Sequence, residues 1–439
     1  MKIGSIESLE LLFSDCISNC FFATTQSSPT FALYQENSPP DNLILLNLPE
    51  ECLTYDNDEA IIQKSDLCEQ MQKRQITHFL LNSHSSENIE RWAQQNEIFL
   101  LSTPWAMQRK MEDKIFFDQF LEAHRLPKPR SWILQSEKDI DKVSGTKLIV
   151  QRPWSWGAKG TFFARDNTIL RKILVRENRH VPLLCREYID GLTFGVTLMI
   201  GAKNVIFSAL RLQASFLMED GANKYFGIQW IKPDLFSKKL IIQLNAVLRK
   251  LSKQLQSIGF RGAANIDFIV RENQIYILEC NPRLSGSTAQ LTLEKSLFHG
   301  YDLMQEFISA LTNRDLSANI TEIPESQYEG ASLELDLDNV LSGKTTTLAN
   351  KKVGVYQYQG HQIDYLTSQL KTFTDNPSNV LLYHSVSQKY TANLSKFLGI
   401  LMSHFPLFEV QDNRYNFSQQ GKAILSIFQQ ATHAKPSNF

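Results

Sequence analysis

The sequence predicts a multidomain protein of mixed α/β and α+β class, and three observations point there. Short apolar runs alternate with helical segments through residues 1–110, a glycine-bearing loop joins two strand-like runs between residues 147 and 165, and an acid-bearing hairpin occupies residues 262–286. At 439 residues the chain is too long for one small core, so several packed subdomains are expected.

Composition removes some function classes. With 43% hydrophobic residues, 21% charged residues and a net charge of -1, the chain is ordinary globular material, and nothing favours nucleic acid or an anionic membrane surface as partner. No run approaches the roughly 18 apolar residues of a membrane span. The opening Met1-Lys2-Ile3-Gly4-Ser5-Ile6 lacks a signal-peptide pattern. The cysteines Cys16, Cys20, Cys52, Cys68, Cys185 and Cys280 are scattered and read as reduced thiols, with a cytoplasmic location expected. Cys16 and Cys20, four apart, leave a metal or disulfide pairing as a minor alternative.

In chain order, residues 1–110 read as an incomplete doubly wound α/β unit with strands at Leu43–Leu46, Thr77–Leu81 and Ile98–Leu101. No G-x-G-x-x-G occurs here, which disfavours dinucleotide binding. Asp113-Lys114 then opens a helix that the prolines at 127 and 129 close. A lysine is electrostatically misplaced at the positive end of a helix, so a ligand phosphate explains Lys114 better than helix energetics does. Lys147–Val150 and Thr161–Arg165 flank the loop Gln151-Arg152-Pro153-Trp154-Ser155-Trp156-Gly157-Ala158-Lys159-Gly160. Such a loop can fold its backbone N–H groups over phosphates, with Arg152 and Lys159 adding charge and Gly160 closing the turn; a plain hairpin tip explains the glycines but not the cations. Strands Thr193–Ile200 and Asn204–Leu212 form a hairpin, and Arg211 at its end is a candidate substrate or phosphate contact. Leu240, Leu244, Leu248, Leu251 and Leu255 recur at helical spacing, and that helix is core.

The helix delivers the chain to the acidic hairpin, with strands Ile266–Val270 and Gln274–Leu278 around the turn Arg271-Glu272-Asn273. Asp267 stands inside the first strand, Glu279 closes the second, and Asn281 follows two residues later. Residues two apart share a strand face, so these oxygens can point at one ion, and their type suits a hard cation such as Mg²⁺. A solvated strand face is the plain alternative, but the apolar company of Ile266, Phe268, Ile275 and Ile277 says the strands are buried. Beyond Gly286 the chain shows short strands at Ala331–Leu335, Val353–Tyr358 and Asn379–Tyr383, and reads as a closing subdomain or a homodimer surface.

The run Leu278-Glu279-Cys280-Asn281-Pro282-Arg283 resembles the E-x-N-P-R signature of ATP-grasp enzymes, especially the branch of biotin carboxylase and carbamoyl-phosphate synthetase, and Asp267 precedes it at the family's distance. The resemblance covers residues of about 110 to 310. It implies a Rossmann-like pre-ATP-grasp domain at 1–110, an ATP-grasp domain at 111–315 with a small lid at about 145–190 and a large lobe at about 191–315, and a C-terminal α+β subdomain at 316–439. In that family the lysine after this aspartate reaches ATP, and Lys114 matches it. A lysine usually precedes the loop proline; this chain has Arg152-Pro153, a form some carbamoyl-phosphate-type members share. Counting back from Gly160 by the commonest loop length lands instead on uncharged Gln151, and the preferred reading is Arg152 with a loop one residue shorter. Leu183 to Gly191 resembles the hinge strand, so the backbone of Glu187, Tyr188 and Ile189 would meet adenine.

The implied cofactors are ATP and Mg²⁺, with Mn²⁺ as a substitute, held through Asp267, Glu279 and Asn281. The implied activity is carbon–nitrogen ligation, in which a small-molecule carboxylate is phosphorylated to an acyl phosphate and then coupled to an amine with release of ADP and phosphate. Arg283 would bind the carboxylate or its acyl phosphate. An enzyme that phosphorylates an enol or hydroxyl, and a nucleotide-binding regulator without chemistry, are the alternatives. No Met-Lys-Met biotin-attachment site is present.

Overall fold

The computed structural model describes residues 1–47, 58–82, 84–145, 147–155, 160–217, 223–336, 348, 351–384, 397–411 and 414–429. The N-terminal unit is a parallel sheet of β1 (Ile3–Ile6), β2 (Cys20–Thr24), β3 (Leu43–Leu45), β4 (His78–Leu80) and β5 (Phe99–Leu101), in the order β3-β2-β1-β4-β5. All four pairings are parallel and the order reverses at β1, which is the doubly wound arrangement. Three of these strands carry the apolar runs seen in the sequence. The first two went unread because Ile-Gly-Ser-Ile and Cys-Phe-Phe-Ala-Thr are short and have no alternation; in a parallel sheet covered on both faces every residue of each is buried.

A four-stranded antiparallel sheet follows, with β6 (Ser131–Leu134), β7 (Leu148–Gln151), β8 (Thr161–Ala164) and β9 (Leu183–Glu187) ordered β6-β9-β7-β8. The helix Asn167–Arg176 packs Leu170, Ile173 and Leu174 onto it. Then comes a larger sheet. Its strands are β10 (Leu192–Ile200), β11 (Val205–Phe207), β12 (Arg211–Leu217), β13 (Asn223–Trp230), β14 (Gly262–Arg271) and β15 (Gln274–Asn281), continued by β16 (Ala331–Asp336), β17 (Gly354–Tyr358), β18 (Ile363–Thr367), β19 (Asn379–His384) and β20 (Phe397–Ser403). The order is β15-β14-β10-β12-β13-β16-β20-β19-β17-β18, with β11 on β10, so strands on both sides of residue 315 lie in one sheet. A separate ribbon, β21 (Phe408–Gln411) with β22 (Arg414–Phe417), precedes the helix Gln419–Gln429.

One expected strand is two. The run Asn204–Leu212 breaks after Phe207, where the Ser208 and Ala209 N–H groups bond the Thr197 and Leu297 carbonyls, and Arg211 therefore starts β12 instead of ending a strand. The expected long helix spans Lys238–Ser257, capped by the Ser237 hydroxyl, and buries Leu240, Leu244, Leu248, Leu251 and Leu255 against the sheet. A second core joins the N-terminal unit to the large sheet. It runs through Ile3, Leu11, Phe22, Tyr34, Met199, Trp230, Phe298, Phe307 and Phe373.

Candidate functional site

The acidic hairpin is built as the sequence suggests, with one refinement that decides where its carboxylates point. Glu272 and Asn273 both have positive φ, 49° and 65°, which makes the connection a two-residue turn of the type that matches strand twist. Asp267 pairs with Glu279, and Asn265 with Asn281, but Phe268 pairs with Ile277, so Leu278 is an extra residue in β15. Strict alternation would put Glu279 on the face of Ile275 and Ile277, which is the core face. The bulge at Leu278 turns Glu279 and Asn281 away from it and beside Asp267, while Cys280 takes the core position opposite Ile266.

The three predicted cation ligands are thus together. Asn281 Nδ2 lies 3.4 Å from Asp267 Oδ2 and 3.5 Å from Glu279 Oε1. Burial, then the Glu279 charge, hold the Asp267 carboxyl well above its ordinary range. Burial also opposes ionisation of Glu279, but Lys114 and the bonds from Asp267 and Asn281 outweigh it and hold that carboxyl below its ordinary range. Two carboxylates that share a buried site push their affinities for a proton apart in this way. A hard cation fits this donor set: it would favour the charged form of Asp267, and rotation of the Asn281 amide would present its oxygen. Among the described residues no group of three or more His, Cys, Asp or Glu side chains is arranged to hold a metal, so two carboxylates and an amide are what the protein offers. Such a set leaves room for phosphate and water oxygens.

Lys114 sits at the first turn of the helix Lys114–Ala123, whose N-cap Asp113 accepts from the Ile115 and Phe116 N–H groups. Only 5% exposed, Lys114 donates from Nζ to the Ser155 carbonyl at 2.6 Å and lies 3.3 Å from Glu279 Oε2. Arg211, 3% exposed, reaches the site from β12 across Gly195 of β10, which pairs with Arg211 on one side and Asp267 on the other. A Cβ at Gly195 would stand 2.9 Å from the guanidinium carbon, so the absent side chain is what lets Arg211 lie there. Its Nη2 is 3.8 Å from Asp267 Oδ1, and it donates to Thr197 Oγ1 at 3.1 Å and Asn265 Oδ1 at 3.2 Å. Gln213 also donates to Asp267.

The candidate residues of the four-stranded sheet and its loop divide. Arg152 follows β7 and pairs through Nε with Glu177 Oε2 at 2.7 Å, and Gly160, at φ 74°, leaves room for its side chain. Gln151, one residue earlier, accepts from Arg186 Nη1 at 3.2 Å. Trp154 packs under the Arg109 guanidinium at 4.2 Å. Lys159, like Trp156, lies outside the described residues. At the hinge, the Glu187 and Tyr188 N–H groups bond the Arg130 and Lys147 carbonyls, whereas the Ile189 N–H makes no bond to a described residue.

Arg283 stands apart from the cation ligands, at the junction with the N-terminal unit. Its Nε reaches Glu112 Oε1 at 3.1 Å and His84 Nε2 at 3.0 Å, and those two are 2.8 Å apart. Burial works against the Glu112 charge, and His84 and Arg283 more than offset it. Sequence reasoning missed His84, Glu112, Arg186, Gly195, Gln213 and Asn265. Each is remote in sequence from its partner, and only Gly195, a glycine inside a buried strand, carried a readable signal.

A family model for the ATP-grasp domain matches residues 111–287. Among curated proteins the chain is similar to the C-terminal section of the carbamoyl phosphate synthase large chain of Aquifex aeolicus, 23% identical over 244 residues, 54% of this chain and 44% of that one. It is 21% identical over 267 residues to the carbamoyl phosphate synthase large chain of Clostridium botulinum, 57% of this chain but only 24% of that one. The chain therefore spans less than half the length of these relatives. Among solved structures, biotin carboxylase of Campylobacter jejuni in complex with β-γ-ATP superposes with a TM-score of 0.64 at 14% identity, over 92% of this chain and 87% of that one. The biotin carboxylase domain of Hydrogenobacter thermophilus 2-oxoglutarate carboxylase, a dimer with MgADP, ADP and bicarbonate, gives 0.62 at 14% identity over 92% and 86%. N5-carboxyaminoimidazole synthetase of Staphylococcus aureus complexed with ADP gives 0.55 at 14% identity over 97% of this chain and 96% of that one. At such identities the structures speak for the fold alone, and it is the family match that gives this chain an ATP-grasp domain, at residues 111–287.

Proposed function

We propose that the chain is an ADP-forming carbon–nitrogen ligase that uses ATP to phosphorylate a small-molecule carboxylate and couples the acyl phosphate to an amine. The observation that carries the reading is the convergence of Asp267, Glu279, Asn281 and Lys114 in one buried cluster, reached through a bulge that a merely structural hairpin does not need. The Ile189 N–H, left without a described partner, and the Glu187 carbonyl offer the donor and acceptor that an adenine edge requires. Asp267, Glu279 and Asn281 would hold Mg²⁺, or Mn²⁺ in its place, and the ion would supply neutralisation of triphosphate charge. Lys114 exchanges its Ser155 carbonyl for a phosphate oxygen, gaining a charge-assisted bond in place of a neutral one. Arg211 fixes the Asp267 carboxylate from behind. Arg283, already facing a carboxylate in Glu112, would accept the substrate carboxylate there and stabilise the acyl phosphate made from it. A cytoplasmic enzyme, with a homodimer as its assembly, accords with this reading.

The test is ADP release by the purified protein with MgATP against panels of small acids, bicarbonate among them, and amines, with the product identified by mass. Arg283→Ala should keep ATP affinity and lose substrate-dependent ADP formation on the order of 10²-fold. Nucleotide binding without ADP formation across the panels would indicate a regulator. A large loss of ATP affinity in the variant would move Arg283 to the nucleotide.

A further inference from the structure

We infer that Arg186, on the hinge strand, is a phosphate-binding residue of the nucleotide site and supplies the charge that β7 lacks. The inference rests on reading the cleft as a nucleotide site.

The starting point is a buried charge count. Arg186 is 2% exposed, Asp118 is 4% exposed, and Lys128 reaches the same carboxylate from the other side. Asp118 Oδ1 accepts from Arg186 Nε at 3.1 Å, while Oδ2 accepts from Lys128 Nζ at 2.8 Å and Ser131 Oγ at 2.6 Å. One buried carboxylate therefore faces two cations. Glu122 is 3.2 Å from Lys128, but its side chain is 73% exposed and compensates little. A guanidinium cannot shed its proton to escape burial, so the imbalance asks for an anion.

The geometry says where that anion belongs. Leu183 and Cys185 of β9 point into the core of the four-stranded sheet, and alternation puts Arg186 on the opposite face. There its Nη1 donates to Gln151 Oε1 at 3.2 Å, and the Glu279 charge is near enough to act on it. Nη2 lies 3.0 Å from Asp118 Oδ1, yet that oxygen is aligned with Nε, and Nη2 itself makes no hydrogen bond among the described residues. The Ser155 hydroxyl, whose own carbonyl holds Lys114, is likewise buried without a partner. Two unsatisfied buried donors thus lie near the Lys114–Glu279 pair. Arg152, the loop cation nearest in sequence, is spent on Glu177. Gln151 on the cleft side is neutral, and Arg186 stands behind it as the available positive charge. Phosphate oxygens of a nucleoside triphosphate would satisfy Nη2 and balance the second cation.

The experiment measures affinities of the full chain for MgATP and for adenosine by calorimetry. Arg186→Met should weaken MgATP binding on the order of 10- to 100-fold and leave adenosine unchanged. Gln151→Lys in the Arg186→Met background should restore much of the loss. Should Arg186→Met fold poorly, Gln151→Glu provides the check in a fold that keeps Arg186. Pairing the buried cation, it should raise the thermal midpoint of the nucleotide-free protein while weakening MgATP. Equal losses for MgATP and adenosine, no rescue by Gln151→Lys, or a Gln151→Glu protein that is no more stable would overturn the inference. Absence of MgATP binding in the wild type would instead reject the nucleotide reading itself.

Discussion

At the scale of single residues, chemistry and space are coupled most tightly at Gly195. An alanine there would press its Cβ against the Arg211 guanidinium, itself held by Thr197 and Asn265, so the cost cannot be absorbed by a loose side chain. Gly195→Ala should lose about 1–3 kcal/mol in urea unfolding, as overpacked cores do, and a combined Gly195→Ala/Arg211→Met protein should lose less than the sum of the two single changes. Arg152 gives a second prediction. Burial pushes the Glu177 carboxyl up, and the Arg152 bond and charge more than cancel this, leaving it below its usual range. A lowered carboxylate contributes stability above its unfolded value and loses it as pH falls through the folded one. The stability gap between wild type and Arg152→Gln should therefore be largest near neutral pH and narrow on acidification, and a gap that widens would show that the pair does not stabilise the fold. The preferred reading of the loop takes Arg152 as the phosphate-facing residue, although the family's commonest loop length lands on Gln151. The strand ends one residue earlier than that, so Gln151 faces Arg186 while Arg152 faces Glu177.

At the scale of elements, the β14–β15 hairpin shows what a pattern can and cannot carry. Both strands, the turn and the acids were legible because β-branched and aromatic residues flank a polar break. The bulge was not. Leu278 looks like one more core residue, and only the register reveals that it shifts the phase so that Glu279 faces the site. Two changes in the same hairpin should separate these features. Deleting Leu278 removes the extra residue, so that Glu279 follows core-facing Ile277 directly and alternation itself keeps Glu279 and Asn281 beside Asp267, and nucleotide binding should persist. Glu272→Gly relieves a left-handed backbone at φ 49° and should add about 1 kcal/mol of stability with binding intact. Loss of MgATP binding in a folded deletion protein would mean that Leu278 does more than set the phase of the ligands.

At the scale of the whole molecule, the sequence carried the apolar runs of three N-terminal strands and the spacing of the long helix, but not how the units join. Packing between units leaves little local pattern, because Trp230, Phe298 and Phe307 look like core residues whichever partner they meet. In the fold they share one core with Ile3, Leu11 and Phe22 of the N-terminal unit. That shared core brings His84 and Glu112 to Arg283, a contact spanning 199 residues of chain for His84. On the proposed function, this assembled cleft holds a nucleotide through a cation on Asp267, Glu279 and Asn281. The most direct measurement is MgATP affinity and turnover for wild type and Glu279→Gln, with and without Mg²⁺. Binding in the wild type should depend on Mg²⁺, and Glu279→Gln should fold but show little turnover and weakened Mg²⁺ dependence; equal turnover and equal Mg²⁺ dependence in the two proteins would contradict the cation site.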